Sequence, residues 1–341
     1  MPAEQPTLTD GTVTLRPWRD DDIEPAAAGH DDDIDYWFGN AESPTVEAQR
    51  EIVRGWRERA AGGDFASFVI EEATTGGPAG VVEVRRIADR GVELSWWLYA
   101  GRRGRGLATR AVRVVTDWAL TGADQGGWGA TRVQARVEPG NKASMRVATR
   151  AGLRQEGVQR VEPGSGDRPE TSEYVVLARL AGDPPLSDPE SFRSLLNSFL
   201  PRKRAISQML LRDPEGRVLL CQLTYKRDWD LPGGVVEVGE SPRLAVQREV
   251  EEELGLEVEP GALVLTDWLP PWGGWDDALC LVYDGGTHAP EVLAGVVMQE
   301  REIRDVRFCT LEEVDELAAD FTARRVRAAV EGTLPYTESG R

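Results

Sequence analysis

The sequence predicts an α+β protein of two domains, each pairing a sheet with helices. Three observations lead there. The chain has 341 residues, and roughly 100–200 residues make one domain. A hydrophobic fraction of 40% suffices for two ordinary cores and excludes global disorder. Regular patterning breaks at AGDPPLSDPE (181–190), and the motifs on either side differ. Prolines 184, 185 and 189 argue against a regular element within that stretch. The expected layout is a domain over 1–180, a linker over 181–200, a domain over 201–335 and a tail over 336–341.

Composition removes several function classes. No run approaches the ~18 consecutive apolar residues of a membrane span. The start, MPAEQPTLTDGTVTLRP, lacks a charged-then-apolar signal pattern. Cys221, Cys280 and Cys309 are scattered and odd in number, so they imply no disulfide framework. His30 and His288 lie near no paired cysteines, which disfavours zinc. A cytoplasmic location is expected. Net charge is −18, unevenly spread: residues 1–180 hold 23 Lys+Arg against 28 Asp+Glu, and residues 181–341 hold 17 against 30. That disfavours a nucleic-acid polymer as partner, which needs a basic footprint. Single nucleotides stay open, because a metal can bridge carboxylates to phosphates.

In the first half, VTLRPWRDDDIEPAAA (13–28) reads as a strand and a helix. VELSWWL (92–98) alternates like a strand, and GRRGRGLAT (101–109) is a glycine-rich turn. The residues after it have a helical period, with Ala111, Val114, Val115, Trp118 and Ala119 toward one side. Strand, glycine-rich turn and helix make a phosphate cradle, because N–H groups at a helix start point at an anion. Arg102, Arg103 and Arg105 add charge there. TSEYVVLARL (171–180) reads as a strand and SFRSLLNSFL (191–200) as a short helix.

The spacing Arg103-x-x-Gly106-x-Ala108 resembles the pyrophosphate loop of the GNAT acetyltransferases. VEPGNKASMRVATRAGLRQEG (137–157) resembles that family's strand, N-x-x-S helix, glycine and strand. The opening stretch resembles the branch that acetylates ribosomal-protein N-termini. The resemblance spans about residues 8–180 and implies a central mixed sheet flanked by helices. It implies acetyl-CoA bound by Arg103, Gly104, Arg105, Gly106, Ala108, Thr109 and Asn141. An amine acceptor, a small molecule or a protein N-terminus, would attack the thioester. Backbone N–H groups at the end of strand 92–98 would polarise its carbonyl. Glu93 is the expected base and Ser144 the expected hydrogen-bond donor to the leaving thiolate. Many relatives carry Tyr seven residues after the Asn; this chain has Ala148. Either Ser144 or water then protonates the thiolate, or the half is an acyl-CoA sensor without catalysis.

The second half opens with strand ISQMLLRD (206–213), a turn at PEG and strand RVLLCQL (217–223). Then comes GGVVEVGESPRLAVQREVEEELGL (233–256). Ser241 as N-cap, Pro242 at the first helical position and Gly255 as stop delimit a helix. At ~100° per residue, Val246, Val250 and Leu254 share one face. Glu249, Glu252 and Glu253 form the adjacent stripe, and Glu251 points to solvent. Converging carboxylates beside an apolar face repel unless a cation joins them, and all-oxygen donors select Mg²⁺ or Mn²⁺.

This stretch resembles the Nudix box, G-x5-E-x7-R-E-U-x-E-E-x-G-U with U aliphatic. Gly234, Glu240, Arg248, Glu249, Val250, Glu252, Glu253, Gly255 and Leu256 match all nine positions. The resemblance covers roughly residues 200–332 and implies a mixed sheet sandwiched between helices. It implies cleavage of a phosphoanhydride in a nucleoside diphosphate linked to another group. Glu249, Glu252 and Glu253 would be metal ligands, Arg248 would orient them and Glu240 would support the helix start. Glu300 or Glu302 is the expected general base. The whole chain therefore reads as a bifunctional enzyme, an N-acetyltransferase joined to a Mg-dependent hydrolase.

Overall fold

A computed structural model describes residues 5–162, 164, 168, 170–224 and 228–341. The chain divides into two units, Met1–Leu200 and Pro201–Arg341.

In chain order the first unit contains β1 (Leu8–Thr9), β2 (Val13–Arg16), α1 (Ile23–Gly29), α2 (Asp32–Phe38) and α3 (Val46–Ala61). Next come β3 (Phe65–Glu72), β4 (Pro78–Ile87), β5 (Gly91–Leu98), α4 (Leu107–Leu120) and β6 (Arg132–Val137). It closes with α5 (Lys142–Ala151), β7 (Arg154–Arg160), β8 (Glu173–Leu180) and α6 (Pro189–Phe199). The strands form one sheet in the order β1-β2-β3-β4-β5-β6-β8-β7. Among the described residues of this unit only β5 and β6 pair in parallel, which α4 makes possible by carrying the chain across the sheet. The predicted helical period of α4 is met: Ala111, Val115 and Ala119 are fully buried against the sheet, and Val114 is partly so. Trp18, Ile34, Val53 and Tyr99 form a second cluster on the side of α1, α2 and α3.

Helix α6 begins inside the stretch whose prolines argued against regular structure. Pro189 occupies the first turn, where its missing N–H has no helical partner to lose. Asp188 caps the helix by accepting from Ser191 N at 2.7 Å. Leu195 is 4% exposed, and Arg154 donates to the Ser191 hydroxyl at 3.1 Å, which ties α6 to β7. The segment expected as a linker thus contains a helix packed on the first unit.

The second unit contains β9 (Arg204–Arg212), β10 (Val218–Leu223), β11 (Trp229–Asp230), β12 (Gly233–Val235) and α7 (Pro242–Leu254). Then follow β13 (Leu263–Leu269), β14 (Ala278–Thr287), β15 (Ile303–Cys309), α8 (Leu311–Leu317), α9 (Asp320–Glu331) and β16 (Tyr336–Glu338). The sheet order is β11-β10-β9-β14-β13-β16, with β12 on β9 and β15 on β10. Helix α7 covers one face, burying Val246, Val250 and Leu254 against Met209 and Leu219. Val314 of α8 and Val326 of α9 join the core on the other face. The residues expected as a tail instead add strand β16 alongside β13. Asp267 holds them, accepting from the Thr337 hydroxyl and the Gly340 N–H, each at 2.8 Å. The three cysteines are buried and free. Among the described residues no helix is long and apolar enough to cross a membrane.

Candidate active sites

The site in the second unit is organised by α7. The Ser241 hydroxyl caps it, accepting from Leu244 N at 3.3 Å. Anchoring the apolar face leaves Glu253 buried, Glu249 half-buried, and Glu251 and Glu252 exposed. Strand β12 runs beside this stripe. The Gly233 N–H donates to Glu253 at 2.9 Å. A Cβ at Gly233 would meet Ser207 O at 2.2 Å, and its φ of +133° already favours glycine. A Cβ at Gly234 would lie 2.6 Å from the Glu249 carboxyl carbon.

Arg248 sits among the acids. Its guanidinium donates to Glu240 at 3.0 and 3.1 Å, to Glu249 at 3.0 Å and to Glu252 at 3.0 Å. The helical spacing predicts three carboxylates converging on a cation; the side chains are arranged otherwise. Among the described residues no three His, Cys, Asp or Glu side chains stand together as a ligand set. Glu249 and Glu252 turn to Arg248, the strongest donor in reach, and Glu253 turns to the Gly233 N–H. Arg248 cannot neutralise them all. Burial first, then the charges of Glu249, Glu302 and Asp230, push the Glu253 carboxyl up to about 8. Burial also raises Glu249, with Glu252 and Glu302 adding to it. The charge of Glu302 reaches both, and Glu300 and Glu302 are both exposed in the turn before β15.

The site in the first unit arises because β5 and β6 pair only from Gly91–Arg132 to Glu93–Gln134. Beyond that point they part, and among the described residues the β6-facing edge of residues 94–98 has no strand partner. Two cavities open there. The donor-side cavity, ≈ 330 Å³, is lined by Arg103, Gly104, Gly106, Ala108 and Thr109. The acceptor-side cavity, ≈ 290 Å³, is lined by Glu83, Arg85, Glu93, Arg136 and Tyr174. Both are also lined by Trp37, Phe38, Trp96, Asn141 and Ser144. Gly106, at φ +77°, starts α4 without a side-chain cap, which leaves the first helical N–H groups available to an anion.

The comparisons with known proteins divide in the same way. A family model described as a NUDIX domain matches residues 201–330. A MutT-like protein of Streptomyces ambofaciens is 30% identical over 142 residues, 40% of this chain and 81% of the relative. The nucleoside triphosphatase NudI of Enterobacter sp. (strain 638) is 34% identical over 154 residues, 41% of this chain and 98% of the relative. The chain belongs to the Nudix family. A second model, an acetyltransferase (GNAT) domain, matches residues 12–154. The probable N-acetyltransferase YjcK of Bacillus subtilis is 30% identical over 119 residues, 34% of this chain. The match spans 63% of that relative, less than two thirds of its length. A GNAT domain and a Nudix domain together mark the chain as an enzyme.

Within the GNAT domain the expected residues separate. Gly104, Gly106, Ala108 and Thr109 line the donor-side cavity. Arg103 lines it too, yet is bound to Asp31 at 2.7 Å and Asp33 at 2.9 Å. Arg105 points elsewhere and pairs with Glu72, so the arginines bring less free charge than the sequence suggests. Asn141 caps α5, accepting from Ser144 N at 3.0 Å, and its side chain is thereby partly committed to structure. Ser144 lines both cavities. Ala148 is fully buried in the core.

Glu93 fits the role of base poorly. Burial alone would raise its carboxyl, but hydrogen bonds from Gln134 at 3.0 Å and Arg136 at 2.9 Å outweigh that and hold it low. Arg85 pairs with it as well. Glu83, on the neighbouring strand, was missed in the sequence. Burial raises its carboxyl to about 7, against partial relief from Arg59 and Arg85. Its one sequence signal is its place in VVEVRR, where the alternation of β4 puts Glu83 and Arg85 on one face.

Proposed function

We propose that the chain is a bifunctional enzyme: an acetyl-CoA-dependent N-acetyltransferase joined to a divalent-metal-dependent hydrolase of a nucleoside phosphoanhydride. The hydrolase half rests on one observation, the packing of Gly233, Gly234, Glu240, Arg248, Glu249 and Glu253 into a single site. The nucleoside triphosphatase relatives favour a nucleotide substrate. The donor set is all oxygen and carries more negative charge than Arg248 offsets, which fits a hard cation. Glu249, Glu252 and Glu253 would hold Mg²⁺ or Mn²⁺, which supplies neutralisation of phosphate oxygens and a more acidic bound water. Arg248 keeps Glu249 and Glu252 oriented, and Glu240 fixes Arg248. Glu302, whose charge reaches Glu249 and Glu253, takes the proton of the attacking water.

The transferase half rests on two cavities that share the Ser144 wall. Acetyl-CoA enters the donor side with its pyrophosphate at the α4 start. The amine enters the acceptor side and attacks the thioester carbonyl. The C–N bond forms, the C–S bond breaks, Glu83 takes the amine proton, and the Ser144 hydroxyl donates a hydrogen bond to the leaving thiolate, which water protonates. A base at about 7 is matched to neutral pH. With a base and a donor in the cavities, a purely acyl-CoA-sensing role gains no support.

One experiment separates the halves: a nucleotide-library hydrolysis screen with Mg²⁺ and an acetyl-CoA turnover assay with an amine panel, each run on Glu252→Gln and Glu83→Gln. Removing a charged group at the reacting centre costs on the order of 10²–10³ in rate. Glu252→Gln should lose hydrolysis alone and Glu83→Gln transfer alone. Full hydrolysis by Glu252→Gln, or full transfer by Glu83→Gln, would overturn the corresponding assignment.

A further inference from the structure

We infer that the acceptor is a small amine carrying its own anionic group beside the amine, together with a flat ring, and is not a protein N-terminus. This rests on the transferase reading above. Glu83 and Arg85 are two residues apart on β4, so both side chains leave the same face about 7 Å apart along the strand. They oppose Ser95 and Glu93 of β5 in register, and all four line the acceptor-side cavity. Among the described residues Glu83 makes no hydrogen bond or ion pair, which leaves it for the amine.

Arg85 is only partly engaged. Glu93 accepts from Gln134, from Arg136 and from Arg85, the last through a single nitrogen, Nη2. The other acid of the cavity, Glu138, is taken by Arg168 and by the Thr171 hydroxyl at 2.9 Å. Arg85 is 44% exposed, and its Nε and Nη1 bear no hydrogen bond to a described residue. A cationic donor with open N–H groups therefore stands beside the base, and it suits a carboxylate or a phosphate. A peptide N-terminus brings none, because its neighbouring carboxyl is locked in an amide.

Trp37 and Phe38 of α2 and Tyr174 of β8 also line it, and the Tyr174 ring faces the Arg136 guanidinium at 5.0 Å. Trp96 packs into the core on the other face of the sheet. Two aromatic side chains of α2 beside one amine-binding floor suit a flat ring. The Arg168 guanidinium lies 5.2 Å from the Trp37 ring. The cavity, at ≈ 290 Å³, is of small-molecule size, near the lower end of about 300–1,000 Å³.

Two sources share this chemistry: a free aromatic α-amino acid, with a carboxylate and a side-chain ring, and an aminoacyl nucleotide, with a phosphate and a base. The test uses the full chain with acetyl-CoA and measures kcat/KM for five amines. They are L-phenylalanine, L-phenylalaninamide, L-leucine, phenylalanyl sulfamoyl adenosine and an alanine-initiated hexapeptide. L-Phenylalanine or the adenosine compound should exceed both the amide and the peptide by about tenfold or more, the size of one charge-assisted hydrogen bond. Which of the two leads identifies the source, and L-leucine should trail the leader. Arg85→Gln should collapse the preference over the amide through KM, with the KM for acetyl-CoA unchanged, and Arg85→Lys should restore part of it. Equal use of the amide or the peptide, or a preference that survives Arg85→Gln, overturns the inference while leaving the transferase intact. Acetyl-CoA binding without acetylation of any amine overturns the transferase reading itself, and this one with it.

Discussion

A methyl group at position 234 has nowhere to go but into the Glu249 carboxyl, 2.6 Å from the Cβ it would introduce. That carboxyl is the far end of a flexible side chain, so it can swing aside at little cost to folding. Gly234→Ala should therefore keep its melting temperature, within the ±0.5 kcal/mol of an ordinary surface change, and lose most of the hydrolysis. A loss of stability with hydrolysis intact would show that the glycine serves the turn and not the site. Glu83 makes the opposite kind of prediction, one read against pH. Its carboxyl lies at about 7 instead of 4.5, and only the ionised form takes a proton. Acetyl transfer should rise as pH passes through about 7 and then level, and Glu83→Gln should lose both rate and inflection. Stability runs the other way. A raised folded value means that this group's contribution is fully present below the ordinary 4.5 and is lost as pH climbs through about 7. Glu83→Gln should thus gain melting temperature over the parent at pH 8 and none at pH 4. Equal melting shifts at both pH values would mean that Glu83 is not held in an unfavourable setting.

Among the elements, α7 was legible in the sequence because a cap, a stop and a 3.6-residue period all agree there, and α4 because a glycine-rich turn leads into a 3.6-residue period. The box residues were legible with α7, since their spacing is set by the helix itself. The orientation of their carboxylates was not, because it depends on where one long guanidinium settles among them. Glu83 and the acceptor-side cavity were illegible for a different reason. They depend on the parting of β5 and β6 after Glu93, a long-range event that leaves no local mark. Helix α6 was expected over 191–200, but its start at Pro189 was missed through punctuation, and strand β16 was missed through shortness. Proline reads as a breaker even where the first helical turn tolerates it, and three residues of strand carry no period. The placement of α6 can be tested. Leu195 is 4% exposed, and truncating a buried leucine to alanine costs about 2–5 kcal/mol. Leu195→Ala should lower the unfolding midpoint of the first unit by that order and leave the second unit's midpoint in place. A change under about 0.5 kcal/mol would mean that residues 189–199 behave as linker after all.

At the scale of the whole molecule, the two units are chemically unlike. Among the described residues each apolar cluster draws its members from one unit only, two clusters per unit. The second unit also holds a buried polar centre of its own. Arg325, 2% exposed in its side chain, lies 3.2 Å from Asp230 and 3.5 Å from Asp267. Asp230 lies just before strand β12, which carries Gly233 and Gly234, and Asp267 holds the C-terminal strand. The residues that close the fold and those that shape the hydrolase site therefore meet within the second unit. A self-contained core is what lets a domain fold alone. Residues 1–200 and 201–341, produced separately, should each unfold in one cooperative transition. The first piece should retain acetyl-CoA binding, and the second should retain Mg²⁺-dependent hydrolysis within about threefold of the full chain, a difference under 1 kcal/mol. Ending the second piece at residue 335 should abolish its cooperative transition, because Asp267 would lose the Thr337 and Gly340 donors while remaining buried. Thermal melts followed by circular dichroism decide it: cooperative unfolding of 201–335 would show that β16 is dispensable. Failure of either longer piece to fold would show that the units depend on one another despite their separate cores.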